Sequence, residues 1–242
     1  MMISVGTPLP LEGAYNVRDL GGYLTSTQRP VQKKRYLRGA SLSRLTPGDR
    51  EFLLRYGLSA VIDLRSPFEA QRDPDPDCGV PAYSFPLLDS LNSQDFQGAL
   101  PESLSQMYIQ LLDRCAPVFA DIFRIMSEVS GCVLFHCTAG KDRTGLCAML
   151  LLSLAGVPDE VIIADYAASD SYLKEIILHQ RLSLHKAGIT VNEDLLHASP
   201  SNMRTALDHL RHRYGNAEAY LNGAGVTDRE IRALYRRLLE ET

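Results

Sequence analysis

The segment from Gly131 to Gly156 constrains the fold more than any other part of the chain. Residues 132–136 (CVLFH) are a short apolar run after a glycine, the pattern of a strand buried on both faces. A glycine-containing turn follows directly, and then residues 143–155, a strongly helical stretch that Gly156 ends. A second apolar run with Val and Ile side by side, residues 59–64 (SAVIDL), reads as another buried parallel strand. Residues 36–39 and 82–87 are shorter strand candidates. Helical patterns lie between and after them. Thr46 is an N-cap with Pro47 at the first helical position, and the helix it starts runs to Tyr56 and stops at Gly57. Residues 103–114 and 116–129 have helical periodicity, with Phe119, Ile122, Phe123 and Met126 on one face. Pro158 starts a helix predicted to reach residue 178, and Thr227 with Glu230 forms a capping box for the last helix. Strands alternating with helices predict an α/β fold. Residues 1–30 look irregular, 73–77 (DPDPD) an exposed turn, and 88–103 a polar loop. No repeat or linker divides the chain, so residues 1–242 read as a single domain.

Composition excludes several classes. The formal charge is −4, from 25 basic and 29 acidic residues, which is not the basic footprint of a nucleic-acid binder. The content of 45% hydrophobic and 22% charged residues argues against disorder. The longest apolar run, residues 146–152, is far short of the roughly 20 residues of a membrane span. The start lacks a basic stretch followed by an apolar one, so no signal peptide is read. Cysteines stand at 78, 115, 132, 137 and 147, an odd number with no Cys-x-x-Cys pair. That describes neither a disulfide scaffold nor a structural zinc site. His209 and His212, and His179 and His185, lack the accompanying Glu spacing of a zinc helix. The expectation is a cytoplasmic, reducing compartment, no metal and no cofactor. Oligomeric state is not legible.

The chemistry concentrates in His136-Cys137-Thr138-Ala139-Gly140-Lys141-Asp142-Arg143-Thr144-Gly145. A loop entering a helix N-terminus turns several backbone N–H groups toward one point, and the helix dipole adds positive potential there. Such a place binds a tetrahedral oxyanion. A cysteine at its floor feels the same field, and thiols in such sites have pKa values of about 3.5–7.5. Arg143 returns over the loop and offers a fork for two phosphate oxygens. Thr138, Ala139, Gly140, Lys141, Asp142 and Arg143 are therefore the candidate phosphate binders, with Cys137 as nucleophile. The spacing is Cys-x5-Arg, and Phe135 stands where a Walker motif needs its first glycine. A buried structural cysteine beside a capping arginine explains neither the glycine nor the basic pair.

This string, with Asn16-Val-Arg-Asp-Leu-Gly-Gly-Tyr23 near the start and Val61-Ile-Asp-Leu-Arg65 between, resembles the bacterial and fungal protein-tyrosine phosphatases of the mycobacterial secreted type, also described as lipid-phosphatase-like or triple-specificity enzymes. The resemblance spans most of the chain. It implies the cysteine-phosphatase fold, a mostly parallel four- to five-stranded sheet flanked by helices. It implies dephosphorylation of phosphotyrosine, sometimes of phosphoserine or phosphothreonine and phosphoinositides, without a metal. Non-classical export is compatible with it.

The resemblance places the catalytic acid at Asp142, within the loop. Asp89 is the rival, since it follows a strand candidate, but the 47 residues separating it from Cys137 are more than the usual gap. Lys141 matches a lysine of phosphoinositide phosphatases of the tumour-suppressor type; it is either a rim cation for a polyanionic headgroup or a solvated side chain. His136 would orient the loop and tune the thiolate. Thr144 would donate to the thiolate or cap the first turn. Arg65, at the carboxyl end of a parallel strand where such sheets bind ligands, reads as a structural salt-bridge partner in preference to a substrate contact or a brace of the loop through Glu69. Arg18 and Asp19 read as a bracing ion pair. Two other readings compete: a catalytically silent phosphate-binding module, and a rhodanese-type sulfurtransferase.

Overall fold

Strands that are apolar on both faces take the middle of a sheet, and the order here follows that rule. The computed structural model describes residues 6–87, 103–186 and 193–240. Its strands are β1 (Arg18–Asp19), β2 (Tyr36–Gly39), β3 (Leu58–Asp63), β4 (Ala82–Ser84) and β5 (Cys132–His136), in the order β1-β2-β5-β3-β4. Only β1 is antiparallel. The five residues of β5 are all buried, and the pleat sends Val133 and Phe135 into one core and Cys132 and Leu134 into another. His136 stands opposite both Gly39 and Asp63, so the three central strands end level, at the edge where an open parallel sheet forms its crevice.

The helices are α1 (Pro47–Tyr56), α2 (Pro67–Arg72), α3 (Leu104–Arg114), α4 (Ala116–Glu128), α5 (Asp142–Leu154), α6 (Asp159–Ala167), α7 (Ser169–Tyr172), α8 (Lys174–Lys186), α9 (Glu193–Leu196), α10 (Pro200–Tyr214), α11 (Ala217–Gly223) and α12 (Asp228–Leu239). The α1 boundaries match the Thr46 and Gly57 signals, and α12 carries the expected capping box. Helix α5 is buried on every side from Arg143 to Leu152, which explains its run of apolar residues without a polar face. It lies in the larger core with α3, α4, α6 and the helices from α10 onward.

Three expectations need revision. The helix from Pro158 breaks into α6, α7 and α8 instead of running on to residue 178. At the break, Arg18 Nη2 donates to the Asp165 carbonyl at 2.7 Å, the group a continuous helix would offer to residue 169. The DPDPD turn is not simply exposed: Asp75 takes the Leu42 amide and Arg65, and Asp73 takes the Ser43 hydroxyl. A short helix, α2, stands where none was expected, started by a Ser66–Glu69 capping box with Pro67 in the first turn. Asp89 and most of the 88–103 stretch lie outside the described residues.

Candidate active site

The loop after β5 is shaped by what its carbonyls bond. Asn16 Nδ2 donates to the carbonyls of Ala139 and Gly140, both at 3.1 Å. Arg38 Nη2 donates to those of Gly140 at 2.9 Å and Lys141 at 3.3 Å, and the Ser41 amide donates to Thr138 O at 3.1 Å. A trans peptide points its N–H opposite its C=O. With the carbonyls of residues 138 to 141 drawn outward, the N–H groups of Ala139, Gly140, Lys141 and Asp142 turn the other way. Among the described residues, no acceptor takes the N–H of Thr138, Ala139, Gly140 or Lys141. Gly140 makes the bend possible. Its φ is +66°, and a Cβ there would lie 2.3 Å from the Gly39 carbonyl.

Arg38 does its part of this bracing from complete burial, Arg18 stands equally buried behind Asn16, and among the described residues a single carboxylate pairs with both guanidiniums. Asp165 accepts from Arg18 Nε at 2.8 Å, Arg38 Nη1 at 2.5 Å and the Tyr23 hydroxyl at 2.8 Å. Burial alone would raise its pKa; the two guanidinium charges bring it down to about 2. Arg18 therefore pairs with Asp165, not with its neighbour Asp19, and Asn16 Oδ1 accepts from Arg18 as well.

Cys137 lies at the floor of a cavity of about 190 Å³ that Thr138, Ala139, Lys141, Asp142 and Arg143 also line. The sulfur's residue is 2% exposed. Arg143 is gripped by Glu69, Nη1 to Oε2 at 2.6 Å and Nη2 to Oε1 at 2.8 Å. Glu69 also accepts from Thr138 Oγ1 at 2.5 Å and from the Ser66 amide at 2.9 Å. Burial opposes the Glu69 carboxylate, but these donors pull its pKa to about 2. Burial works against the Arg143 charge too, yet Glu69 and Cys137 hold its pKa above the ordinary arginine range. Among the described residues, nothing accepts the Arg143 Nε proton. Arg65 is the structural salt-bridge partner of Asp63 and Asp75, one of its expected readings, while Glu69 braces Arg143 instead of Arg65; the Ser66–Glu69 box was the overlooked signal.

The apolar roof of the cavity is Leu173, Ile176, Ile177, Leu195 and Leu196, from the α7–α8 junction, α8 and α9. Lys141 lines the cavity and is not solvated. It is buried, and Nζ donates to the carbonyls of Leu195 at 2.9 Å and His197 at 3.4 Å. Asp142 opens α5, with Oδ1 accepting from the Tyr108 hydroxyl and 3.7 Å from Lys141 Nζ. The Thr144 hydroxyl is fully buried and bonds neither the sulfur nor any other described group.

Beneath the loop, His136 is fully buried, with Nε2 3.1 Å from Asp75 Oδ2 and Nδ1 3.4 Å from the Cys137 carbonyl. Donor atoms of Asp63, Asp75 and His136 lie within 4.8 Å of one another, a spacing that can suit a metal. The Arg65 guanidinium already bridges the two carboxylates, at 2.8 Å to Asp63 and 2.7 Å to Asp75, so a cation of the protein's own fills that role. His209 pairs with Asp113 at 2.7 Å rather than with His212.

The sequence is similar to those of known proteins. The chain is 36% identical over 216 residues to a tyrosine-protein phosphatase of Nostoc commune, covering 84% of this chain and 74% of that one. It is 26% identical over 275 residues to the triple specificity protein phosphatase PtpB of Mycobacterium tuberculosis, covering 95% and 98%. The sequence profile of the tyrosine phosphatase family matches residues 9–240, from before the Asn16 brace to the end of α12. On that match and the cysteine–arginine loop at the end of β5, the chain belongs to the tyrosine phosphatase family and is a protein-tyrosine phosphatase-like hydrolase.

Proposed function

We propose that the protein hydrolyses phosphomonoesters, phosphotyrosine foremost, through a phosphocysteine intermediate. One observation carries the reading: Cys137, the inward-turned amides of residues 139 to 142 and the Glu69-held Arg143 surround one cavity. The Cys137 thiolate attacks phosphorus; the S–P bond forms as the bond to the leaving oxygen breaks. Asp142 gives its proton to that oxygen. The amides and Arg143 hold the three equatorial oxygens, donors already fixed before charge redistributes. Water then attacks the phosphocysteine, Asp142 takes its proton, and phosphate leaves with the thiolate restored. His136 orients the loop from below.

The apolar roof favours an aromatic leaving group, since a phenyl ring gains by burial there what an alkyl phosphate does not. Family membership weighs against the sulfurtransferase reading, and intact Cys137, Asp142 and Arg143 weigh against a silent module. We read residues 1–242 as one catalytic domain, a reading supported by Leu20 and Leu238 sharing one core. Five cysteines outside any disulfide support a reducing, cytoplasmic setting. No helix among the described residues is long and apolar enough to cross a membrane.

The test is a panel of phosphotyrosine, phosphoserine and phosphothreonine peptides and phosphoinositides, with chelator present, on wild type and Cys137→Ser. The expected outcome is hydrolysis led by phosphotyrosine, absent from Cys137→Ser, which still binds phosphate. Turnover surviving in Cys137→Ser would remove the mechanism.

A further inference from the structure

We propose that Tyr108 is the positioning residue for Asp142: its hydroxyl holds Oδ1 and leaves Oδ2 as the oxygen that carries the proton to the leaving group. The inference rests on the acid role given to Asp142 above and specifies how that acid is aimed.

Tyr108 comes from α3 and is fully buried, yet its hydroxyl reaches Asp142 at the start of α5. Its oxygen is also 2.7 Å from the hydroxyl of Tyr166, whose ring meets it edge-on. A hydroxyl has one proton to donate and a carboxylate has none. Tyr108 therefore donates to Asp142, and Tyr166 donates to Tyr108. The direction of the chain is set, from α6 through α3 to the loop. Burial first, and then the charge of Asp142, push the Tyr108 hydroxyl far above its ordinary range, so it stays a donor at every working pH.

Among the described residues, the Tyr108 hydroxyl bonds Oδ1 and Lys141 Nζ stands 3.7 Å from the same oxygen. A proton on Oδ1 would face two donors, so a protonated Asp142 carries it on Oδ2. That removes a free rotation from the acid and fixes which oxygen is presented to the cavity. The groups that face Asp142 are Tyr108 from α3, Tyr166 from α6, and Cys137, Lys141 and Arg143 from the loop and α5. Among the described hydrogen bonds, Tyr108 reaches the loop through the Asp142 carboxyl and not through the cradle amides or Arg143, so its hydroxyl can be removed with those in place.

The experiment compares wild type, Tyr108→Phe, Tyr166→Phe and Asp142→Asn on 4-nitrophenyl phosphate, a good leaving group, and phenyl phosphate, a poor one, across pH. In Tyr108→Phe the fall in kcat on phenyl phosphate exceeds that on 4-nitrophenyl phosphate about tenfold, with KM little changed. Its basic limb moves to higher pH, because the carboxylate has lost a donor that stabilised it. Tyr166→Phe moves the same way by less. Equal losses on both substrates with an unmoved pH profile overturn the proposal, since a packing role alone would do that. An unaltered Tyr108→Phe beside an Asp142→Asn that does lose its poor substrate overturns the tyrosine's role alone. A flat leaving-group response in Asp142→Asn overturns the acid assignment and the tyrosine's role with it.

Discussion

Glu69 holds Arg143 through both carboxylate oxygens, at 2.6 and 2.8 Å, and thereby ties α2 to the phosphate loop. The pair is two-thirds or more shielded from water, and the carboxylate is itself locked by the α2 capping box. An amide in its place keeps one acceptor but turns an N–H against the second guanidinium donor. Glu69→Gln is expected to lower kcat/KM roughly 10- to 100-fold, about 1.4–2.7 kcal/mol, and to weaken inhibition by inorganic phosphate in parallel. Steady-state kinetics with phosphate as inhibitor check this; an unchanged kcat/KM sinks it.

Among the described residues, Asp165 is the one carboxylate paired with Arg18 and Arg38 in the interior. Asp165→Asn leaves two buried cations without a counter-charge and is expected to cost about 3–5 kcal/mol, or roughly 10 °C of Tm for a chain of this size. Denaturant titration measures it, and a loss under about 1 kcal/mol contradicts the account.

Acid stability follows from the same carboxylates. Asp165 has a folded pKa of about 2 against an ordinary 3.8, and Glu69 about 2 against 4.5. Both are depressed, so the stability they contribute is complete above about 4.5 and drains away as pH falls toward 2. Tm measured from pH 5 to 2 should fall through that window, and more shallowly in Asp165→Asn than in wild type.

Gly140 and Gly57 separate backbone strain from collision. Both have positive φ, +66° and +110°, but a Cβ on Gly57 meets nothing within 4 Å. Gly57→Ala is expected to cost only the left-handed penalty of about 1–2 kcal/mol. Gly140→Ala adds a 2.3 Å approach to the Gly39 carbonyl and should abolish turnover and destabilise well beyond that. Similar effects of the two substitutions in denaturation and assay would refute the close packing of loop against β2.

Lys141 ties the roof to the loop through the Leu195 and His197 carbonyls. Lys141→Met keeps the stem and removes charged hydrogen bonds of about 1.5–3 kcal/mol each. Backbone hydrogen exchange in α9 should accelerate tenfold or more, with the central sheet unaffected. Unchanged exchange at residues 193–196 would show that the roof is held by its leucines and isoleucines alone.

The sequence was most legible where function is encoded locally. Residues 136 to 145 hold the candidate nucleophile, cradle and arginine in one short segment, so spacing pointed to them, and the resemblance added Asp142 as the candidate acid. The strands β3 and β5 were equally plain, because a strand buried on both faces needs an apolar run, whereas β2, with Arg38 in its four residues, read only as a short candidate. Helix α2 went unseen although its Ser66–Glu69 box was in view, and Glu69 was named only as a partner for Arg65, not for Arg143. The DPDPD turn looked solvated because nothing in its own residues names Arg65 as its partner.

Composition and local pattern by themselves determined an α/β chain whose chemistry sits at a cysteine between a buried strand and a helix. Only the tertiary structure decided what holds that cysteine's loop in shape. Asn16, Arg38, Asp165, Glu69 and Tyr108 reach it from other elements, Asn16 from 124 residues away. Charge compensation and hydrogen bonding inside a protein depend on distance in space, and a partner brought near by folding leaves no periodic trace in the chain that supplies it.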